Sequence, residues 1–213
     1  MVLQLEKECD RLIKEAQGLI NDAEISKALA LLDNAWELTQ KHAFLASRQP
    51  SIAAERGHAY FMKRDYKEAV LAFKIRLDFE KRSCEKRYDA SPYAIGCGEA
   101  FFELGSAEMR LGDNPTALAH LREAAACYEI FMDRGRDSSQ LAKLGYRFYS
   151  GEATVLAGVA AGRLGDKAGG VALINSGIEN LEKVRTDPIA NAELVAAAVR
   201  AVAFAKEQLS ILK

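Results

Sequence analysis

One spacing of small and apolar residues is written four times in this chain, and it constrains the fold more than any other feature. Ala117, Leu121 and Ala124 are separated by four and then three residues. Ala28, Leu32 and Ala35 repeat that spacing, Ala69 and Phe73 begin it, and Gly170, Ile174 and Gly177 give a small-residue version. Twelve residues before each leading position stands another small residue: Ala16, Gly57, Gly105 and Gly158. The third copy shows what the pattern encodes. Phe101, Leu104, Gly105 and Met109 recur at helical spacing. Gly112-Asp113-Asn114-Pro115 then stops one helix and starts the next. Gly112 suits the left-handed position after a helix end, Asn114 is the expected N-cap, and Pro115 suits the first helical turn. A helix, a tight turn and a second helix, repeated along the chain, predict an all-α helical repeat.

These residues resemble the tetratricopeptide repeat family. Its pattern places a large residue, then Leu-Gly, then Tyr in the first helix, and Ala, Phe and Ala in the second. Leu12, Ala16, Leu19, Ala28, Leu32 and Ala35 fit it in the first repeat, and Gly57, Tyr60, Tyr66, Ala69 and Phe73 in the second. Phe101, Leu104, Gly105, Ala117, Leu121 and Ala124 fit in the third, with Gly158, Gly165, Ile174 and Gly177 a looser fourth. The leading positions 28, 69, 117 and 170 lie 41, 48 and 53 residues apart, against a family period of about 34. The first two excesses are whole pairs of helical turns, which keep an apolar face pointing the same way. The resemblance therefore implies long-helix repeats, of the kind found in kinesin light chains. It implies a right-handed superhelical α-solenoid forming a single domain over 1–213. Repeats are expected near 9–42, 50–87, 92–134 and 138–186, with a capping helix over 188–212. Arg56 and Arg76 replace expected small or apolar residues in the second repeat, and Glu108 stands where an aromatic is usual in the third.

Taken in order, the chain predicts helices over 2–20 and 24–41, with His42 to Ser47 either a frayed end or a connector. Pro50-Ser51 opens a third helix that ends at Lys63-Arg64-Asp65, and a long fourth runs over 66–87 with a charge-dense second half. Ser91-Pro92 starts the fifth and Ser138 or Ser139 caps the seventh. The seventh is one long helix to 164 or two, since Gly145 and Gly151 lie inside it. Seven glycines over 151–177 allow close helix approach. Val195, Val199, Val202, Leu209 and Ile211 mark the apolar side of the last helix.

Composition narrows the function classes. Hydrophobic residues make up 49% and charged residues 28%, which is a globular balance rather than a disordered one. A net charge of −1 gives no long-range attraction to nucleic acid or anionic lipid. The N-terminus, M-V-L-Q-L-E-K-E-C-D-R, is too charged for a signal peptide, and no apolar run approaches a membrane span. A cytoplasmic location follows as an expectation, and Cys9, Cys84, Cys97 and Cys127, with no C-x-x-C among them, read as reduced thiols. His42, His58 and His120 are far apart, and there is no metal-ligand spacing, nucleophile elbow or phosphate-binding loop. The expectation is a non-enzyme with no cofactor and no metal.

The resemblance also implies where a partner would sit. In the family, the first helix of each repeat lines a concave groove through its second, fifth, ninth, twelfth and thirteenth positions. Counting from Cys9 gives Asp10, Ile13, Gln17, Ile20 and Asn21. Counting from Pro50 gives Ser51, Ala54, His58, Phe61 and Met62. Counting from Gly98 gives Glu99, Phe102, Ser106, Met109 and Arg110, and from Gly151, Glu152, Val155, Val159, Gly162 and Arg163. The partner expected there is a peptide or helix of another protein, with the chain acting as an adaptor. The alternatives are a self-assembling structural subunit and a secretion-type chaperone holding a client. A further alternative is that these residues pack against the chain's own seventh or last helix.

The same register generates a negative prediction. Family members that hold the carboxylate-ended tails of heat-shock chaperones carry Lys and Asn where this chain has Ile13 and Gln17, and a further basic position where it has Glu99. Such a tail meets no cation and one anion. Calorimetry with a tail peptide is expected to show no binding, and micromolar affinity would overturn the register.

Overall fold

A computed structural model describes residues 2–85, 95–134 and 139–212, with the side chains of 83–85, 95 and 133–134 left out. The described residues are helical, with no strand among them. In order they form α1 (Val2–Asn21), α2 (Ile25–Lys41), a 3-10 helix (Ala43–Arg48), α3 (Gln49–Met62) and α4 (Tyr66–Glu85). Then come α5 (Ile95–Leu111), α6 (Asn114–Arg134), α7 (Gln140–Arg163), α8 (Lys167–Thr186) and α9 (Ala192–Leu212). The expected start of the fifth helix at Ser91-Pro92, the end of the fourth at Lys86-Arg87 and the cap at Ser138 lie outside the described residues. Where the sequence reads as a single domain, the helices fall into two compact units, Met1–Pro92 and Tyr93–Lys213. In the first, α1 packs on α2, α3 on α4, and α2 on α3. In the second, each helix from α5 to α9 packs on the next.

Each unit contains two hairpins, and all four hairpins close with the same turn. Ala23, Arg64, Gly112 and Gly165 take φ values of 61°, 64°, 93° and 92°. The residue after each donates its N–H back across the helix end: Glu24 to Leu19, Asp65 to Tyr60, Asp113 to Glu108 and Asp166 to Ala161, at 2.8, 2.9, 2.9 and 3.1 Å. This is the six-to-one bond of a left-handed helix stop, which satisfies carbonyls the helix leaves over. The carbonyl of that same residue then accepts from the N–H of Ala28, Ala69, Ala117 or Gly170 and so begins the next helix. The repeated small residues of the sequence are thus the fourth residue after every turn.

The capping residue differs from the one expected. Asn114 is the first residue of α6, and Asp113 caps it by accepting from the Thr116 N–H at 3.4 Å. Asp65 and Asp166 hold the same place, accepting from Glu68 and Gly169. A carboxylate there suits the positive end of the helix dipole. Ser139 caps α7 through Ala142 at 3.1 Å, and α7 is one helix rather than two. The segment after α2 is a connector rather than a frayed end: it is a 3-10 helix whose own Leu45 is buried.

Small residues let the paired helices touch. A Cβ added at Gly57 would meet the Phe73 ring, at Gly105 the Leu121 side chain, and at Gly158 the backbone of Gly170 and Ile174 at 2.7 and 2.9 Å. Gly162 and Gly170 leave the space that Leu212 fills from α9. The buried side of α9 is Ala198, Val202 and Ala205, with Leu194, Ala201, Leu209 and Leu212 beside them. Val199 and Ile211, expected on the apolar side, are exposed. One helical step is about 100°, so Val199 turns away when Ala198 faces in.

Two glycine substitutions separate packing from propensity. Gly158→Ala places a methyl against backbone that cannot step aside and is expected to cost about 1–3 kcal/mol. Gly145 lies inside α7 with nothing within 4 Å of an added Cβ, so Gly145→Ala should stabilise by about 0.5–1 kcal/mol. Denaturant melts of the two variants check both signs.

Candidate functional site

In the first unit, α1 and α3 present the positions that the repeat register puts in a groove. Asp10, Ile13, Gln17 and Ser51, with Lys14, Ser47 and Arg48, line one concavity of about 470 Å³. Gln17, Ile20, Asn21, His58, Phe61 and Met62, with Glu55, line a second of about 480 Å³. Gln17 is common to both, so the two adjoin. Nine of the ten positions border these concavities, but Ile13 and Ile20 are buried in the core of the unit, as is Ala54, the tenth.

Polar side chains fix the shape of this face. Gln17 Nε2 donates to Glu55 Oε1 at 2.8 Å, tying α1 to α3. Arg48 donates to Asp10 at 3.2 Å and lies 3.8 Å from Glu6. Burial pushes the Glu55 carboxyl up, but hydrogen bonds from His58 and Gln17 and the charge of Arg76 outweigh it and hold the group below the usual carboxylate range. At the far end Phe61 packs edge-on against Tyr66 at 5.4 Å, and Met62 is exposed. The face is thus polar and ion-paired at one end and apolar at the other.

The arginines that depart from the family pattern are also accounted for. Arg56 pairs with Asp33 on α2 and lies over the Trp36 ring at 5.6 Å. Trp36 therefore packs between hairpins. Arg76 is buried, its charge acting on Glu55.

In the second unit the corresponding positions divide. Glu99, Arg110 and Arg163 are exposed. Met109 is not a groove surface: it is 7% exposed and belongs to the core, and Phe102 packs against the same cluster. Ser106 is half-buried, its Oγ without a partner among the described residues. The cause is α7, which packs on α5 and sends Arg163 Nη1 to the Met109 carbonyl at 3.4 Å. The unusual Glu108 is 1% exposed and sits 2.7 Å from His120 Nδ1, tying α5 to α6.

Glu152 lines a cleft of about 380 Å³ between α7 and α9, with Phe148, Val155, Leu156 and Leu181 on one side and Ala197, Arg200, Ala201 and Phe204 on the other. Burial raises its pKa to about 7, against a smaller opposing effect of Arg200. Sequence reasoning placed Glu152 in a groove but missed Arg200 and Phe204, because nothing in the repeat pattern says which face the last helix presents.

Among the described residues no three His, Cys, Asp or Glu side chains are grouped to hold a metal ion. Cys9, Cys97 and Cys127 are buried and form no disulfide among the described residues. No helix among the described residues is long and apolar enough to cross a membrane.

Packed helix pairs joined by one repeated turn define an all-α helical repeat protein. No family model matches the chain. No curated protein matches it. Among solved structures, the chain is similar to a de novo designed helical repeat protein at 17% identity and a TM-score of 0.37, over 98% of this chain and 96% of that one.

The Glu152 shift has a stability consequence. Its folded pKa lies above the unfolded value, so the folded state holds this proton more tightly. Stability from that proton is complete below the ordinary carboxylate range and is lost as pH rises to about 7. Glu152→Gln should therefore stabilise the protein at pH 8 by about 1–3 kcal/mol and leave it unchanged near pH 4. Denaturant melts at the two pH values test this.

Proposed function

We propose that this chain is a non-catalytic adaptor of the tetratricopeptide type, which holds an extended peptide or a helix of a partner protein along the α1–α3 face. The observation that carries the reading is the continuous pair of concavities at positions 10, 13, 17, 20 and 21 of α1 and 51, 58, 61 and 62 of α3. A register taken from the repeat pattern alone selects those residues. The repeated turn supports the same family, since it fixes twelve residues between the small position of each first helix and that of its partner.

The chemistry of the face suggests the partner's character. Phe61 and Met62 offer an adaptable apolar end, which suits a large apolar side chain. Gln17, Asn21 and His58 offer side-chain hydrogen bonds to an extended backbone. Asp10 is engaged by Arg48, and Glu55 is held by His58 and Gln17 in the field of Arg76, so neither requires a counter-charge from the ligand. A right-handed superhelical solenoid is part of the same reading.

The test is capture of partners from the native source, followed by affinity measurement with groove variants. Met62→Asp and Gln17→Arg should each weaken the captured partner by at least about tenfold, the loss of one anchor. Asn34→Ala, on an exposed position of α2, should leave it unchanged. Wild-type affinity in both groove variants would overturn the reading.

A further inference from the structure

The α7–α9 cleft combines features that simple helix packing does not need. Its walls are apolar and include two aromatic rings, Phe148 and Phe204, the second 40% exposed at the opening. To this cleft α7 brings one half-buried carboxyl, Glu152, and α9 one exposed guanidinium, Arg200. Arg200 acts on Glu152 through charge alone, with no hydrogen bond between them. Neither side chain is hydrogen-bonded or ion-paired to another described residue. Elsewhere on this protein acids and bases that come close do pair, as Arg48 does with Asp10 and Arg185 with Glu182. Glu152, whose carboxyl burial disfavours as the anion, bears a desolvation cost that a ligand cation would offset, and the exposed Arg200 on the facing helix is available for a ligand anion.

We infer that this cleft binds a free amino acid with a large apolar side chain, its ammonium on Glu152, its carboxylate on Arg200 and its side chain between Phe148 and Phe204. A zwitterion supplies both charges a few ångströms apart, which the interior of a peptide does not. An acyl chain with a carboxylate would use Arg200 and leave Glu152 unpaired; an apolar amine would do the reverse. The cleft volume of about 380 Å³ falls in the range of small-molecule sites, about 300–1,000 Å³. The site lies wholly in the second unit and makes no use of the α1–α3 face, so either reading can fail without the other.

Other charges near the carboxyl are few. Tyr149 on α7 lies in the field of both Glu152 and Glu99 of α5, and α8 contributes only Leu181 to the lining. The empty cleft keeps Glu152 protonated below about pH 7, whereas an ammonium requires the carboxylate. Affinity should therefore be about tenfold lower at pH 6 than at pH 8, following the ionised fraction.

The experiment is calorimetry of the full chain at pH 8 with L-phenylalanine and L-leucine, alongside hydrocinnamate, which lacks the ammonium, and phenethylamine, which lacks the carboxylate. At least one amino acid should bind saturably with one site per chain, and the two analogues should bind at least about tenfold more weakly, as expected when a polar partner is left unmatched. Glu152→Gln should weaken the amino acid by about tenfold but spare hydrocinnamate. Arg200→Met should weaken it equally but spare phenethylamine. Circular dichroism checks that both variants remain helical, and the analogue series needs no variant. The inference is overturned if neither amino acid binds, if either analogue binds as tightly, or if the pH 6 and pH 8 affinities are equal.

Discussion

Everything in this fold depends on backbones coming close at one point in each hairpin. The small residue on the first helix stands against the leading small residue of the second and the larger one four residues on: Gly57 against Phe73, Gly105 against Ala117 and Leu121, Gly158 against Gly170 and Ile174. Ala16 and Leu32, both fully buried, occupy the same places in the first hairpin. That contact sets the helix separation and therefore the size of side chain each neighbouring turn can hold. Interiors packed to crystalline density cannot absorb an extra methyl at such a point without displacing backbone. The turn that precedes it delivers the second helix in register, through a left-handed residue and a six-to-one hydrogen bond repeated four times.

Residues that break the expected pattern are held in cross-helix pairs. Glu108 is buried in the third hairpin, and His120 meets it from the opposite helix while resting its ring 5.6 Å from Phe101. Arg56 replaces a small residue and spans to Asp33 and Trp36. A polar side chain at a helix contact is tolerated where a partner is at hand, and in both cases that partner lies on an adjacent helix.

How much of this was legible in the sequence depends on whether one helix or several decided the answer. Gly112 could be read as a helix stop because the left-handed conformation is a local demand that glycine meets without cost. Ser139 was legible as a cap for the same local reason. Asp113 was missed because Asn114 is an equally good cap by composition, and only the hydrogen bond to Thr116 separates them. Seven of the ten α1–α3 positions counted from the repeat border the concavities of the first unit without belonging to its core, whereas Ile13, Ile20 and Ala54 are buried. Met109 and Phe102 were not legible this way, since α7 packs on α5 and draws them into the core. Val199 and Arg200 were illegible for a further reason. The alanine-rich α9 offers several stripes of similar apolarity, and the choice among them rests on where Leu212 finds space at Gly162 and Gly170.

The fixed interval within each hairpin contrasts with the variable interval between hairpins. From small residue to small residue the first is twelve every time, while the second hairpin, the third and the fourth each start at a different remove from the one before. Length change in this architecture is therefore partitioned. An insertion between hairpins extends a helix end or a connection and leaves every turn bond intact. A single residue inserted between a left-handed position and the small residue five places on rotates a whole helix by about 100° and faces its apolar stripe away from its mate. Drift in repeat length should accumulate only at the junctions, so the junctions are the places where descendants of this chain can diverge while the hairpins stay interchangeable.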